Sequence, residues 1–453
     1  MSYQPSRREF MQAGAAVGIG YWVAGGVSAA ESNSPNERIA MAAIGVDGKG
    51  KSDAADAARA GDMVAICDVD RKRLEAAGRS YPKAKMYTDF RKMLEEMGNS
   101  IDAVTVSTPD HMHAPAALMA MRMGKHCFCQ KPLTRTIYEA RLMANVAKEK
   151  KVATQMGNQG TANEPLRRAA ALLRKNIVGT VKEVHVWTNR PIWPQGLDRP
   201  PTKPVPEELD WDLWLGCAPE RPYSDGYHPF KWRGWWDFGS GALGDMACHT
   251  VNMPYMGLEL KNPVAVQAET SGHNKDSYPQ WSVIEFDFPA VDWRPALKFF
   301  WYDGGKKPPA ELMEQMSAAY APELAKDKGY IGTGCIVVGD KGILFSPGDY
   351  AERKIKLSTG AELPDVEFER SPGHFQEWVR AIKGGPEAKS NFPNYAGGLT
   401  ETILLGNLAV FAADKPGKGP KVEWDAVNLK VKNMPELMAI VKPTYRKGWV
   451  LDA

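Results

Sequence analysis

Residues 38–50 read Arg-Ile-Ala-Met-Ala-Ala-Ile-Gly-Val-Asp-Gly-Lys-Gly, a short apolar run that ends in a glycine-rich turn. A helix is predicted to open just beyond it, at residues 52–55, Ser-Asp-Ala-Ala. Strand, glycine turn and helix in this order are typical of a pyrophosphate site, because free backbone amides and the positive end of the helix face the phosphates. The stretch therefore predicts the start of an α/β domain with a dinucleotide site.

The glycines of this turn fit the pattern Gly-x-Gly-x-x-Gly only in part. Gly45 and Gly50 take the first and third places, and Asp47 stands where the middle glycine is expected. A side chain there crowds the pyrophosphate and its charge repels it, although Gly48 and Lys49 would compensate. The predicted cofactor contacts in the turn are Gly45, Asp47, Gly48, Lys49 and Gly50.

The next predicted strand, residues 63–67, ends at Asp68. A dinucleotide fold places an acid at about this distance onward, where it accepts from the adenosine ribose hydroxyls. Such a carboxylate repels a 2′-phosphate and so favours NAD over NADP, a preference that the basic run 71–73 would soften. The alternative is that Asp68 caps the following helix.

Two more predicted strands, residues 101–107 and 126–131, alternate with helices. Alternation of this length predicts a parallel, doubly wound sheet whose ligands bind beyond the carboxyl ends of the strands. Lys131 stands at such an end. Beside the expected nicotinamide position it would polarise a substrate hydroxyl, whereas at an ordinary strand end it would be a solvated surface lysine.

Residues 239–249 read Gly-Ser-Gly-Ala-Leu-Gly-Asp-Met-Ala-Cys-His. If the segment is helical, Asp245 and His249 point into one space, because they stand four residues apart. A carboxylate can orient an imidazole, which can take a proton from a hydroxyl near neutral pH. The alternative is a helix with one histidine hydrogen-bonded in the core.

Several ordered motifs together resemble the Gfo/Idh/MocA oxidoreductases, named for glucose-fructose oxidoreductase and inositol dehydrogenase. They are Ser107-Thr108-Pro109 with His113, Gly124-Lys125-His126 running into Gln130-Lys131-Pro132-Leu133, and the stretches 210–216, 241–249 and 445–449. The resemblance implies catalytic roles for Lys131, Asp245 and His249. It also implies an N-terminal Rossmann domain over residues 31–155, a C-terminal α+β domain over residues 156–453, and a homo-oligomer, either a dimer or a tetramer.

Further cofactor contacts are expected beside the two strand ends and at the start of the second domain: Thr108, Pro109, His113, Gln130, Lys131 and Gln159. The family motif usually has a glutamate before the lysine, where this chain has Gln130. The change removes a negative charge next to Lys131 and so alters the balance between its protonated and neutral forms.

The second half contains strand-like runs at residues 181–187, 264–269, 283–288, 297–302, 334–339 and 342–345, which predict a large, mainly antiparallel open sheet. Tryptophans cluster before residue 239, after a proline-rich loop. Flat aromatic faces suit the C–H surfaces of sugars, so the predicted substrate contacts are Arg190, Trp193, His228 and Trp236.

The N-terminus predicts export. Residues 6–11, Ser-Arg-Arg-Glu-Phe-Met, are a twin-arginine pattern, followed by a weakly apolar run and small residues at 28–30. We therefore expect residues 1–30 to be a Tat signal and the mature protein to be periplasmic and not integral to the membrane. An uncleaved N-terminal anchor is the alternative. Because Tat substrates fold before export, in a reducing compartment, the six cysteines are expected to be buried and unpaired.

Composition narrows the ligand class. With 57 Lys and Arg against 54 Asp and Glu, the formal net charge is +3, which gives no footprint for nucleic acid. A metal site formed by His111, His113 and His249 is not expected, because no carboxylate cluster stands near the His-x-His pair at the strand end. The expected function is an exported oxidoreductase that moves hydride between a sugar or polyol secondary hydroxyl and tightly held NAD. The alternatives are an NAD-dependent glycosidase with a redox-neutral cycle, acting on a glycoside, and a non-catalytic sugar-binding protein.

Overall fold

The structure is a computed structural model, and it describes residues 38–451. The expected export signal lies outside these residues. The first part of the described chain forms a six-stranded sheet in the order β3-β2-β1-β4-β5-β6. Its strands are β1 (Ile39–Ile44), β2 (Gly61–Cys67), β3 (Lys85–Tyr87), β4 (Ala103–Val106), β5 (His126–Cys129) and β6 (Thr154–Met156). The β1/β4, β2/β3, β4/β5 and β5/β6 pairs are parallel.

Helices alternate with these strands, as the sequence predicts. They are α1 (Lys49–Ala60), α2 (Arg71–Ser80), α3 (Phe90–Met97), α4 (His113–Arg122) and α5 (Ile137–Lys150). Helix α5 begins with a capping box, in which Thr136 and Glu139 each bond to the other's backbone amide. The order 3-2-1-4-5-6 has its switch point between β1 and β4, so a ligand crevice is expected where the carboxyl ends of these strands meet.

The second part of the described chain forms a nine-stranded sheet in the order β13-β12-β11-β7-β10-β9-β8-β14-β15. Its strands are β7 (Val181–Trp187), β8 (Ala265–Ser271), β9 (Ser282–Phe288), β10 (Leu297–Tyr302), β11 (Gly334–Gly339), β12 (Gly342–Pro347), β13 (Lys356–Leu357), β14 (Pro416–Asp425) and β15 (Lys430–Val431). The β7/β10 pair is parallel and the other pairs are antiparallel. The predicted fold class, a Rossmann domain followed by a large and mainly antiparallel sheet, is confirmed.

The remaining helices pack around this sheet and between the two sheets. They are α6 (Glu164–Arg174), α7 (Trp211–Leu215), α8 (Gly241–Thr250), α9 (Asn252–Leu258), α10 (Ala310–Ala319), α11 (Ala321–Leu324), α12 (His374–Ile382), α13 (Gly397–Ala412) and α14 (Met438–Val441). Within residues 38–451 no helix has the length and apolar character needed to cross a membrane. The predicted domain boundaries at residues 30 and 155 stay predictions.

The segment from residue 188 to residue 238 leaves the second sheet and returns to the first. It carries a separate aromatic core that includes Trp214, Trp232, Trp235 and Phe238. Two backbone hydrogen bonds fasten it beside the end of β2: one from the amide of Arg71 to the carbonyl of Glu208 (2.9 Å), the other from the amide of Asp210 to the carbonyl of Val69 (3.0 Å). The segment therefore faces the carboxyl ends of the parallel strands.

All six cysteines are buried and unpaired, as the sequence predicts. Burial raises the pKa of each of their thiols. They therefore act as small apolar core residues rather than as reactive thiols.

Candidate active site

A cleft lies where the carboxyl ends of β1, β2, β4 and β5 face residues 213–233. Most of the predicted cofactor contacts line it: Gly45, Asp47, Gly48, Lys49, Asp68, Thr108, Pro109, Gln130 and Lys131. Asp245, from the middle of α8, lines the same cleft. The structure thus brings the glycine turn, the ribose acid and the predicted catalytic lysine together.

The glycine turn is packed too tightly for side chains at its two ends. Gly45 has a φ of +80°, and a Cβ there would lie 2.6 Å from the carbonyl oxygen of Ser107; a Cβ on Gly50 would lie 2.1 Å from the carbonyl oxygen of Gly45. Helix α1 begins after Gly48 with no side-chain cap. The amide of Gly50 donates to the carbonyl oxygen of Asp47 over 3.0 Å. The positive end of the helix is left without a side-chain cap, so it can attract an anion, and the residues present fit the pyrophosphate of NAD. Gly50 itself supports the turn and does not line the cleft.

Asp47 does not block this turn. Its side chain is 47% exposed, and a carboxylate oxygen lies 3.4 Å from a guanidinium nitrogen of Arg73. The negative charge of Asp47, which would repel the pyrophosphate, is therefore partly balanced by Arg73 on α2. Lys49, expected to compensate Asp47, instead places its Nζ 2.5 Å from Oδ1 of Asp53.

Asp68 follows β2 and holds the neighbouring loops. Its Oδ2 accepts from the amide of Val46 and its Oδ1 from the amide of Asp70, each over 3.0 Å. Burial raises the pKa of Asp68, while these two hydrogen bonds and nearby Arg73 act in the opposite direction. The alternative role of helix cap belongs to Asp70, whose side chain accepts from the amide of Arg73. The contact of Asp68 with ribose stays a prediction.

Lys131 forms the central ion pair of the cleft. Its Nζ donates to the backbone oxygen of Asp245 over 2.7 Å and to the Oδ1 of Asp245 over 2.9 Å. Arg233 approaches the same Oδ1 at 3.4 Å. Burial lowers the pKa of Lys131, but Asp245 outweighs it and the pKa is raised. Burial raises the pKa of Asp245, but Lys131 and Arg233 outweigh it and the pKa is lowered. Both groups are therefore charged at neutral pH.

His249 lies one turn further along α8 and is 3% exposed. Its ring packs edge-on against Tyr350, with centroids 4.7 Å apart. Burial, followed by the charge of Lys131, holds the pKa of His249 well below 6.5. The ring is therefore neutral, and its buried Nδ1 has no hydrogen-bond partner within the described part of the chain.

In the described part of the chain, Asp245 and His249 do not form the hydrogen bond that the sequence predicts. Among residues 38–451, the carboxylate of Asp245 bonds to Lys131 and Arg233 rather than to the imidazole. The two cations sit closer to the carboxylate, and a charge-assisted bond is stronger than one to a neutral ring. Asp245 thus orients Lys131 instead of His249.

Gln130 is buried and bridges two parts of the cofactor side. Its Nε2 donates to Oδ2 of Asp53 over 2.8 Å, and its Oε1 accepts from the amide of Lys131 over 3.2 Å. The same Oδ2 of Asp53 also accepts from Oγ of Ser107 over 2.7 Å. The negative charge expected at position 130 is therefore present on Asp53, which lies beneath the glycine turn.

Two predicted cofactor contacts lie elsewhere. His113 is 1% exposed, and its ring nitrogens lie 2.8 Å from the carbonyl oxygens of Pro132 and Thr108. Both nitrogens are occupied, so this histidine joins the loops after β4 and β5 rather than reaching a cofactor. Gln159 is exposed on the 3₁₀ turn Gln159–Ala162 and does not line the cleft.

The structure separates the four predicted substrate contacts, and their roles as such stay predictions. Of the four, only His228 lines the cleft. Trp236 stacks on Tyr278 with centroids 3.8 Å apart, and Trp193 donates through Nε1 to Gln195 in the core. Arg190 bonds to its neighbour Asn189 outside the cleft. The indole rings were predicted from composition, which does not tell a packed tryptophan from one at a surface.

Sequence reasoning missed several residues of the cleft. Trp214, Phe230, Trp232, Arg233 and Asp110 line it. The guanidinium carbon of Arg233 lies 4.2 Å from the centroid of the Trp232 ring, which stacks a cation on an aromatic face. The signal available was the basic and aromatic run 230–236, which lies directly before the helix that carries Asp245.

The histidines near β4 give no metal site. The Nε2 of His111 lies 2.9 Å from the carbonyl oxygen of Trp214, and burial lowers the pKa of His111 to about 3. Within the described residues no three His, Cys, Asp or Glu side chains form a group able to hold a metal ion.

Two regions of the chain match models of a known protein family. Residues 39–158 match the oxidoreductase family with an NAD-binding Rossmann fold, and residues 162–291 match the C-terminal α/β domain of the same family. The chain is 24% identical over 188 residues to levoglucosan dehydrogenase of Pseudarthrobacter phenanthrenivorans, which covers 42% of this chain and 40% of that protein. It is 30% identical over 128 residues to a glycosyl hydrolase family 109 protein of Shewanella sp. strain MR-4, covering 26% of this chain and 27% of that protein.

The chain therefore spans less than half the length of these curated relatives. Among solved structures, the WlbA dehydrogenase of Bordetella pertussis, in complex with NADH and UDP-GlcNAcA, has the same fold. Its TM-score is 0.56 at 17% identity, over 83% of this chain and 96% of that one. Since the two family matches together cover more than half of the chain, with the whole first sheet and strands β7 to β9 of the second, the chain belongs to the Gfo/Idh/MocA oxidoreductase family, with an NAD-binding Rossmann domain.

Proposed function

We propose that this protein is an NAD-dependent dehydrogenase that oxidises a secondary hydroxyl of a sugar or polyol. The observation that carries the proposal is the ion pair between Lys131 and Asp245 at 2.9 Å, set at the end of β5 in the same cleft as the glycine turn. A charged hydrogen-bond donor in the cleft that carries the glycine turn supports polarisation of a substrate hydroxyl there. Bound NAD would supply the hydride acceptor.

The residues of the chain supply binding and proton handling. Lys131 is held in place by Asp245 and points one ammonium proton at a substrate oxygen, which polarises the hydroxyl. His249 is buried one turn beyond Asp245, and its Nδ1 has no partner among the described residues, so this neutral ring would take the hydroxyl proton first if the substrate reaches it. Trp232 and Phe230 give the flat apolar walls that the C–H face of a pyranose needs.

The second candidate is an NAD-dependent glycosidase. It is favoured by the similarity to the glycosyl hydrolase family 109 protein, which reaches 30% identity over its matched region. In that cycle a ring hydroxyl would be oxidised, the adjacent proton, now acidic, would be removed as the aglycone leaves, water would add at the anomeric carbon, and the carbonyl would be reduced again. The same cleft residues would serve, with one further proton transfer. A sugar-binding protein without turnover is less favoured, because Asp47, its chief support, is balanced by Arg73.

We also propose that the protein is exported through the Tat pathway to the periplasm and works as a homo-oligomer, a dimer or tetramer. Export rests on the twin arginines Arg7 and Arg8. A cofactor carried out with the folded chain must be regenerated in place, which requires either a second substrate that takes the hydride back or a redox-neutral cycle.

The decisive experiment begins with protein purified without added cofactor. Denaturing it should release NAD or NADH in near-stoichiometric amount. Intact protein is then mixed with free sugars and with aryl glycosides. Formation of NADH signal with a free sugar supports the dehydrogenase, and aglycone release without net reduction supports the glycosidase. Absence of both turnover and nucleotide would overturn both.

Lys131→Met is the matched variant, because methionine keeps most of the side-chain length without the charge. It should abolish turnover and leave the bound nucleotide in place. Full activity in this variant would contradict the assignment of the cleft.

A further inference from the structure

One buried carboxyl group of the cleft has no role in the function just proposed. Asp110 opens the 3₁₀ turn Asp110–Met112, just past the carboxyl end of β4, and is 4% exposed. Its Oδ2 accepts a hydrogen bond from Oγ of Ser240 over 2.6 Å. Asp110 lines the cleft together with Lys131, Arg233 and Asp245.

The side chain of Ser240 fits here because Gly244 on α8 has no side chain. A Cβ on Gly244 would lie 2.1 Å from the Oγ of Ser240, so the hydroxyl occupies the space that a side chain would need. The carbonyl oxygen of Ser240 accepts from Nδ2 of Asn407 over 2.9 Å. Asn407 thus fixes the backbone of Ser240, and the space beside Gly244 holds its hydroxyl where it donates to Asp110.

The cleft needs a proton acceptor that the ion pair cannot provide. Lys131 is kept protonated by Asp245, and Asp245 is kept ionised by Lys131 and Arg233. His249 is neutral, but with a pKa well below 6.5 it holds a proton poorly at neutral pH. A group that must accept and return a proton works best when its pKa lies near the working pH.

The surroundings of Asp110 meet this condition. Burial raises its pKa, while the hydrogen bond from Ser240 and the charges of Arg233 and Lys131 lower it, and the result is about 7. The titratable groups that face it are Cys129 on β5, Lys131 after β5, Arg233 on a 3₁₀ turn, Asp245 and Cys248 on α8, and Tyr278 before β9. The cysteine and tyrosine are neutral at this pH, because burial raises the pKa of each.

We propose that Asp110, hydrogen-bonded by Ser240, is the proton store of the cleft: it takes up the hydroxyl proton released in substrate oxidation and gives it back in reduction. The inference rests on the dehydrogenase function proposed above. In the oxidation the C–H electron pair and its hydrogen leave as hydride to NAD⁺, the carbon and oxygen become a carbonyl, and the O–H proton passes to the carboxylate. Asp110 lines the cleft together with Lys131 and Asp245, so its carboxylate can take the proton from a substrate hydroxyl, or from a water, held in that space.

The first test is the pH dependence of sugar oxidation. The wild type should gain activity as the pH rises through about 7, because the ionised carboxylate is the acceptor. Asp110→Asn should lose this rise of activity with pH, here called the pH limb, and should lower the rate by roughly 100-fold. Ser240→Ala removes a bond that favours the ionised form, so the limb should move to higher pH.

Asp303 and Ser282 provide a matched control outside the cleft. The Oγ of Ser282 donates to the Oδ2 of buried Asp303 over 2.7 Å, which repeats the Asp110 pair in another place. Ser282→Ala should leave the pH limb unmoved. His249→Asn should lower the rate but keep the rise of activity with pH. The proposal is overturned if that rise disappears in His249→Asn and survives in Asp110→Asn.

The second test does not need turnover. Difference infrared spectra recorded between acid and alkaline pH should show a protonated carboxylic acid that ionises with a midpoint near 7, absent in Asp110→Asn. If the wild type oxidises no sugar but shows this band, the proposed function fails and the titration of Asp110 stands. If it oxidises sugars and the band and pH limb are unchanged in Asp110→Asn, the proton store is refuted alone.

Discussion

Replacing Gln130 with glutamate, the residue usual in the family motif, should destabilise this protein. The Nε2 of Gln130 lies 2.8 Å from Oδ2 of Asp53, and both side chains are buried. A second carboxylate at this distance would be repelled by about 6 kcal/mol at an effective dielectric constant of ~20. Protonating the introduced acid instead costs about 4 kcal/mol at pH 7, because each pH unit above its ordinary pKa near ~4.3 costs about 1.4 kcal/mol. Protonating the introduced acid costs less than the charge repulsion, so protonation sets the loss of stability.

Because the introduced acid is protonated in the folded protein, the stability that Gln130→Glu loses depends on pH. The introduced carboxyl has a folded pKa above its unfolded value, so its stabilising contribution is present below the unfolded pKa and lost as the pH rises. Gln130→Glu should therefore cost about 1 kcal/mol at pH 5 and about 4 kcal/mol at pH 7 relative to wild type. Urea unfolding at the two pH values measures the difference directly.

The paired variant separates charge repulsion from a general defect of packing. Asp53→Asn combined with Gln130→Glu exchanges the carboxylate and the amide between the two positions, so it should recover most of the stability that Gln130→Glu alone loses. An equal loss at both pH values, or no recovery in the double variant, would refute the reasoning.

Three further predictions concern separate parts of the molecule. Gly50→Ala should release bound NAD and lower the melting temperature, because its Cβ would lie 2.1 Å from a carbonyl oxygen of the turn; nucleotide content per chain measures this. Trp232→Ala and Trp236→Ala should both lower stability, because both rings are buried, but only Trp232→Ala should also raise KM, since Trp232 lines the cleft and Trp236 does not. Burial raises the pKa of Glu377, but its hydrogen bonds and a buried arginine outweigh this and the pKa is lowered. Glu377→Gln should thus cost about 3 kcal/mol at pH 7, a loss that shrinks as the pH falls below 4.5.

The sequence was sufficient for the fold because its signals are local. The strand at residues 39–44 and the glycine turn that follows are specified by neighbours in the chain. The same holds for Lys131, just after the end of β5, and for Asp245, in the middle of α8. The predicted strand at 297–302 matches β10 in both bounds. Strand β14 was missed, since Pro416, Gly417 and Gly419 at its start are typical of loops.

The side-chain pairings could not be read in the same way. Gln130 and Asp53 stand 77 positions apart, and Asp110 and Ser240 stand 130 apart. Contacts at such separations depend on how the two sheets meet, which no local pattern encodes. The expected bond between Asp245 and His249 failed for the same reason: the four-residue spacing is local, but Lys131 and Arg233 come from other segments and compete for the carboxylate.

Retention of the cofactor follows from how the cleft is closed. One wall is the Rossmann domain and the other is the segment that contains His228 and Trp232. That segment is tied to the loop after Asp68 by the backbone bonds of Arg71 and Asp210. These bonds join the two walls beside Asp68, the predicted ribose contact, so we expect variants that weaken them to lose bound NAD faster. Because their opening is a local unfolding step, we expect the protein to exchange NAD more slowly than it turns over substrate, as the proposed regeneration of the cofactor in place would require.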